Sequence, residues 1–181
     1  IKLPAELTKL SKSSFAYCSS LKNVQLPNKV IELGDFAFYN CSNLENISLP
    51  ASLKKIGEQA FAYDKKLSQI KIPKNVNSIG VKAFAYDTGL TAIYYNAEKE
   101  NNESNDVFYK CTNVNKLVLG DSVKFIKSSA FSCCTGLLDI SVGKNIEYVG
   151  KNAFYNTEWY RRQGTDTLSL DYILLQYKGQ E

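Results

Sequence analysis

A solenoid of stacked repeats, mostly β with short helical turns, is the fold class this sequence predicts, and three observations predict it. Phenylalanine recurs at Phe15, Phe38, Phe61, Phe84, Phe108, Phe131 and Phe154, at intervals of 23, 23, 23, 24, 23 and 23 residues. A second set of apolar positions keeps the same phase: Val24, Ile47, Ile70, Ile93, Leu117 and Ile140. A unit this short cannot bury its apolar side alone, so about seven 23-residue repeats must stack and share one core.

Within a repeat the elements follow in a fixed order. Leu21, Leu44, Leu67, Leu90, Val114 and Leu137 open it. Three residues on comes an I-x-L pair, as in Ile47 and Leu49, whose alternation is that of a strand with one buried face. Pro27, Pro50 and Pro73 close that strand, with Asn96, Gly120 and Gly143 at the same place in later repeats. A second apolar pair follows (Leu53 and Ile56, for example), and then Gly34, Gly57, Gly80 or Gly150 marks a turn that needs φ > 0 or close backbone approach. An alanine stands before most of the core phenylalanines, where a short helical turn held by stacking is expected.

Written out, L-x-x-I-x-L-P-x-x-L-x-x-I-G-x-x-A-F-x-x-C-x-x-L resembles the BspA-type leucine-rich repeat, and Leu44 to Leu67 matches it almost throughout. The resemblance covers about residues 1–160. It implies a curved right-handed solenoid, found on bacterial surfaces and in some parasitic protists. It also implies export, attachment to the cell surface, and a role in adhesion or protein binding. Residues 161–181 are then expected to be capping strands. Leu168, Leu170, 172–175 and Tyr177 read as a hairpin across Asp171 that, with Trp159, covers the last coil.

Composition narrows the rest. With 44% hydrophobic and 22% charged residues the chain is not expected to be disordered. No apolar run approaches the ~20 residues of a membrane helix, so no membrane insertion is expected of this segment. A net charge of +4 spread along the chain does not form the clustered basic face of a nucleic-acid binder. The absence of His removes the usual general base and the commonest metal ligand. Neither a cofactor, a metal nor an enzymatic activity is expected. The chain opens on Ile1 in mid-pattern and reads as part of a longer protein.

The column three residues after each Phe, or close to it, holds Cys18, Cys41, Asp64, Asp87, Cys111, Cys134 and Thr157. Cys18/Cys41 and Cys111/Cys134 are neighbours that could pair as disulfides or fill a turn as reduced thiols. Cys133 is a fifth, where other repeats carry an aromatic. Asp64 and Asp87 could share a weak calcium ion, accept backbone hydrogen bonds or be solvated. Residues 96–106, with four acidic residues and one Lys, are expected to form a polar edge loop.

Binding, on this reading, belongs to the solvent-facing strand positions, a face the family makes concave. One column runs Asn23, Asn46, Gln69, Ala92, Lys116, Asp139; the other runs Gln25, Ser48, Lys71, Tyr94, Val118, Ser141. The candidate contact residues are Gln25, Asn46, Ser48, Gln69, Lys71, Tyr94, Lys116 and Val118, with Tyr94 and Val118 as an apolar anchor. The expected partner is a protein or a cell-surface glycan. The alternative is a spacer in a larger surface protein.

Overall fold

The computed structural model of the chain describes residues 1–98 and 106–163, together with the backbone of two further strands at 167–170 and 173–177. In chain order the first strands are β1 (Lys9–Leu10), β2 (Asn23–Gln25), β3 (Glu32–Leu33), β4 (Asn46–Ser48) and β5 (Lys55–Ile56). Next come β6 (Gln69–Ile72), β7 (Ser78–Ile79), β8 (Ala92–Tyr95), β9 (Lys116–Leu119) and β10 (Phe125–Ile126). β11 (Asp139–Ser141), β12 (Tyr148–Val149), helix α1 (Glu158–Arg162), β13 (Thr167–Leu170) and β14 (Ile173–Tyr177) complete the order.

The strands separate onto two walls of the stack. One wall carries β6, β8, β9 and β11 as a parallel sheet, with β2 and β4 paired beside it. Its register joins like to like, Ile70 to Ile93 to Leu117 to Ile140. The I-x-L alternation therefore sends one side chain inward and the next outward in every coil, as in the exposed–buried pattern of β6. The other wall is the shorter sheet β1-β3-β5-β7, with β10-β12 beyond it. On its outer face Glu32 lies 3.0 Å from the Lys9 ammonium and 3.2 Å from that of Lys55, a charge alternation across three coils. The pair β10-β12 is separated from β7 by the coil that holds residues 99–105. Most of the expected polar edge loop thus lies outside the described residues.

Proline sets where the ladders end. Asn96 N–H donates to Ile72 O at 3.2 Å and Gly120 N–H to Tyr95 O at 2.9 Å, so β6, β8 and β9 each reach four residues. Pro50 and Pro73 have no N–H with which to repeat that bond. The β2–β4 ladder stops at Gln25 and Ser48, and between β4 and β6 the ladder is interrupted.

The segment around each core Phe is not the short helix expected from its alanine. It is a chain of turns in which N–H groups alternate in direction. Ala37, Tyr39 and Cys41 donate back three residues, to Gly34, Phe36 and Phe38. Phe36, Phe38 and Asn40 donate instead along the stack, to Glu58, Ala60 and Ala62, at 2.7 to 2.8 Å. A helix would send every N–H backward; here half of them stitch coil to coil. This requires left-handed backbone two residues before and two after each Phe. Fourteen non-glycine residues take it, among them Phe36 (φ 58°), Asn40 (φ 55°) and Lys82 (φ 55°). Each costs about 1 kcal/mol in isolation, which the inter-coil bonds offset.

No described glycine has positive φ. The glycine column answers to close approach instead: a Cβ added at Gly34 would lie 2.7 Å from the Lys12 backbone nitrogen of the neighbouring coil. Inside, the phenylalanines stack face to face, with successive centroids 5.0 to 5.6 Å apart and planes within 11°. Each such ring contributes about 1.5–3 kcal/mol by burial, and each ring pair a further ~0.5–1.5 kcal/mol.

At the carboxyl end the Cys column closes on Thr157. Its hydroxyl donates to Phe154 O at 2.8 Å and accepts Tyr160 N–H at 3.0 Å, capping α1. Glu158 in the first turn and Arg161 and Arg162 in the last complement the helix ends. This helix, unforeseen in the repeat pattern, sets the Trp159 ring 5.5 Å from Phe154, over the last rung of the aromatic stack. β13 and β14 pair antiparallel, closing a hairpin between Leu170 and Ile173.

Candidate functional site

The eight candidate contact residues fall on the outer side of one wall, in two blocks, one on β2 and β4 and one on the main sheet. Lys71, Tyr94 and Val118 are consecutive rungs of one column, and Gln69, Ala92 and Lys116 of the other. Gln25 and Ser48 pair across β2 and β4, as do Asn23 and Asn46. The interruption between β4 and β6 divides the two blocks. Gln25, Asn46, Ser48, Gln69, Lys71 and Lys116 are exposed, whereas Tyr94 and Val118 are half-buried. The Lys71 ammonium sits 5.3 Å from the centroid of the Tyr94 ring, and no described carboxylate pairs with it.

The Cys/Asp column is buried inside the turn. All five cysteines are free thiols. Cys41, Cys111 and Cys134 donate S–H to the carbonyls of Phe15, Phe84 and Phe108, one coil back, at 2.9 to 3.1 Å. Burial, and then Asp64, pushes the Cys41 thiol up to about 12; burial likewise raises Cys111. These thiols are inert filler rather than nucleophiles.

Asp64 and Asp87 are neither solvated nor on an open edge, since both are fully buried. Asp64 Oδ1 accepts the Cys41 N–H at 2.7 Å, and Asp87 Oδ1 accepts the Asp64 N–H at 2.8 Å. The second oxygen of each has no hydrogen-bond partner among the described residues. Burial raises the Asp64 carboxyl to about 9 and holds Asp87 well above the carboxylate range, with the Asp64 charge adding to the latter. Burial thus favours the protonated acid at both positions. Among the described residues no group of three or more acidic or thiol side chains could hold a metal ion.

Sequence reasoning missed the outer aromatic seam. Tyr17, Tyr39, Tyr63, Tyr86 and Tyr109 run along one corner with centroids 4.7 to 5.7 Å apart. Lys110 lies 5.2 Å from the Tyr109 ring and 5.9 Å from that of Tyr86. The signal was an aromatic one or two residues after most core phenylalanines. Because the rings pack on one another, the seam is first a stabilising one. Phe125 and Tyr148 form a second exposed apolar pair, in register on β10 and β12.

Comparison with known sequences settles the family. The sequence matches the BspA type leucine rich repeat region in six copies, over residues 1–105 and 101–167. The chain belongs to the BspA-type leucine-rich repeat family. No curated protein sequence matches it significantly. Among solved structures, this BspA-type solenoid superposes on a T. pallidum leucine rich repeat protein (TpLRR) with a TM-score of 0.71. The two are 24% identical over 83% of this chain and 72% of that one. A leucine rich cell surface protein from Faecalibacterium prausnitzii gives a TM-score of 0.53 at 26% identity, over 80% of this chain and 32% of that one. A Eubacterium ventriosum leucine-rich repeat protein gives 0.61 at 21% identity, over 86% and 45% respectively. The BspA-type chain thus spans less than half the length of the last two. Among the described residues no helix is long and apolar enough to cross a membrane.

Proposed function

We propose that this BspA-type module is a non-enzymatic binding domain displayed at a cell surface, engaging a macromolecule through the outer face of its main sheet. The observation that carries the reading is the Lys71–Tyr94–Val118 row. It is a cation, an aromatic and an apolar side chain on consecutive hydrogen-bonded rungs, with no carboxylate paired to the cation among the described residues. A ladder of parallel strands holds such a row rigid, so little ordering entropy is lost on binding. The description of the F. prausnitzii relative as a cell surface protein supports the location.

The test is binding of the immobilised domain to panels of extracellular matrix proteins and glycans. A ligand whose affinity falls about tenfold or more in Tyr94→Ala, and likewise in Lys71→Ala, is the expected result for an anchor of this kind. Silence of the wild-type domain across both panels would favour a spacer instead.

A further inference from the structure

The seam between β4 and β6 is more than a missing rung. A cleft of about 430 Å³ opens over it, within the range of small-molecule sites (roughly 300–1,000 Å³). Its polar lining is Asn46, Ser48, Gln69 and Lys71, and its apolar floor includes Ala51 and Pro73. Pro73 offers no N–H for a last bond toward β4, and Ala51 lines the corner beside it.

We infer that this cleft binds an acidic sugar unit of a glycan, a carboxylated pyranose held by Asn46, Ser48 and Gln69 with its carboxylate on Lys71. The inference rests on the binding-domain reading above and names the ligand class for one part of that face. Three features select it.

The neutral polar groups are two carboxamides and a hydroxyl, which both donate and accept, as ring hydroxyls do. Ser48 and Gln69 make no side-chain hydrogen bond among the described residues, and Asn46 makes only a long one, 3.4 Å, to Asn23. Second, no carboxylate lines the cleft, while the Lys71 ammonium does and is unpaired among the described residues. The site therefore selects an anion. Third, the apolar lining, which includes Ile47, Ala51, Ile72 and Pro73, is aliphatic and suited to the carbon face of a pyranose.

The test is titration of the isotope-labelled domain, followed by NMR, with methyl glucuronide and sialyllactose as acidic probes. Lactose serves as the neutral control and acetylated tetraglutamate as the acidic peptide. Both acidic sugars should shift the side-chain amides of Asn46 and Gln69 and the backbone of 46–51 and 69–73. Lactose should bind roughly tenfold more weakly, and Lys71→Gln should weaken the acidic sugars by about the same factor, the scale of one charged hydrogen bond. Gln69→Ala, at an exposed position with no partner to lose, should weaken every sugar alike.

Saturation by tetraglutamate with no sugar response would overturn the inference in favour of an acidic peptide. Equal sugar binding by wild type and Lys71→Gln, or shifts confined to other coils, would overturn it too. So would the absence of any response to either acidic sugar. A surface protein that still binds after both substitutions leaves the binding-domain reading standing while removing the sugar site.

Discussion

Coils built on Cys41, Cys111 and Cys134 can be set beside those built on Asp64 and Asp87, for the five residues occupy one column of the stack. Each thiol gives its proton to the Phe carbonyl of the coil before. Each carboxyl uses one oxygen to accept a backbone N–H and leaves the other unsatisfied. A carboxylate has no proton to give, whereas a carboxylic acid has one, so the Asp coils resemble the Cys coils only when protonated. What recurs in the column is a small buried polar group. Aspartate fills it conditionally.

The largest expected effect removes what both kinds of coil share. Phe61→Ala, in the middle of the ring stack, should lower unfolding free energy by about 3–5 kcal/mol in chemical denaturation. That loss should be nearly the same at every pH, since no titrating group is deleted; a strongly pH-dependent loss would mean the ring acts through the acids beside it.

The second effect separates the two kinds of coil. Between the ordinary value of 3.8 and the folded value of about 9 for Asp64, the native state keeps a proton the unfolded chain has lost. The contribution of the acids is therefore full below about pH 3.8 and erodes as pH rises towards 9. Thermal unfolding of the wild type should show this decline. Asp64→Cys, which installs the donor used by neighbouring coils, should flatten it and add about 1–3 kcal/mol at the alkaline end. A midpoint that rises steadily from pH 4 to 9 would contradict neutral acids in the column.

The smallest effect concerns the backbone common to all coils. Lys82→Gly should relieve left-handed strain while loosening the unfolded chain, for a net gain of at most about 1 kcal/mol by calorimetry. A clear loss would show that the lysine stem, not only the backbone, is held in place.

Much of this was legible because stacking repeats every informative residue. The Phe interval fixed the coil length, the I-x-L alternation fixed which strand residues face outward, and the Leu168–Tyr177 pattern anticipated the hairpin. The left-handed pairs were not legible, since Ser13, Phe36, Gln59, Lys82 and Ser129 share a conformation but no chemistry, and glycine is absent from all of them. Helix α1 hid because Thr157 sits in the repeat column while also being a good cap, and the repeat pattern masked the second role. At the candidate site, the columns could be written from the sequence. The break between β4 and β6 could not, since Pro50 stands in the same place beside β2 and yet β2 and β4 pair over three residues.

Strand register joins residues 23 places apart in most coils, as Asn23 lies beside Asn46. Between β8 and β9 the spacing is 24, Ala92 to Lys116, and the inward and outward positions are kept. Length can therefore vary between strands without cost to the shared interior. A one-residue slip inside a strand is different, for it would present that strand's leucines to water and its polar residues to the interior.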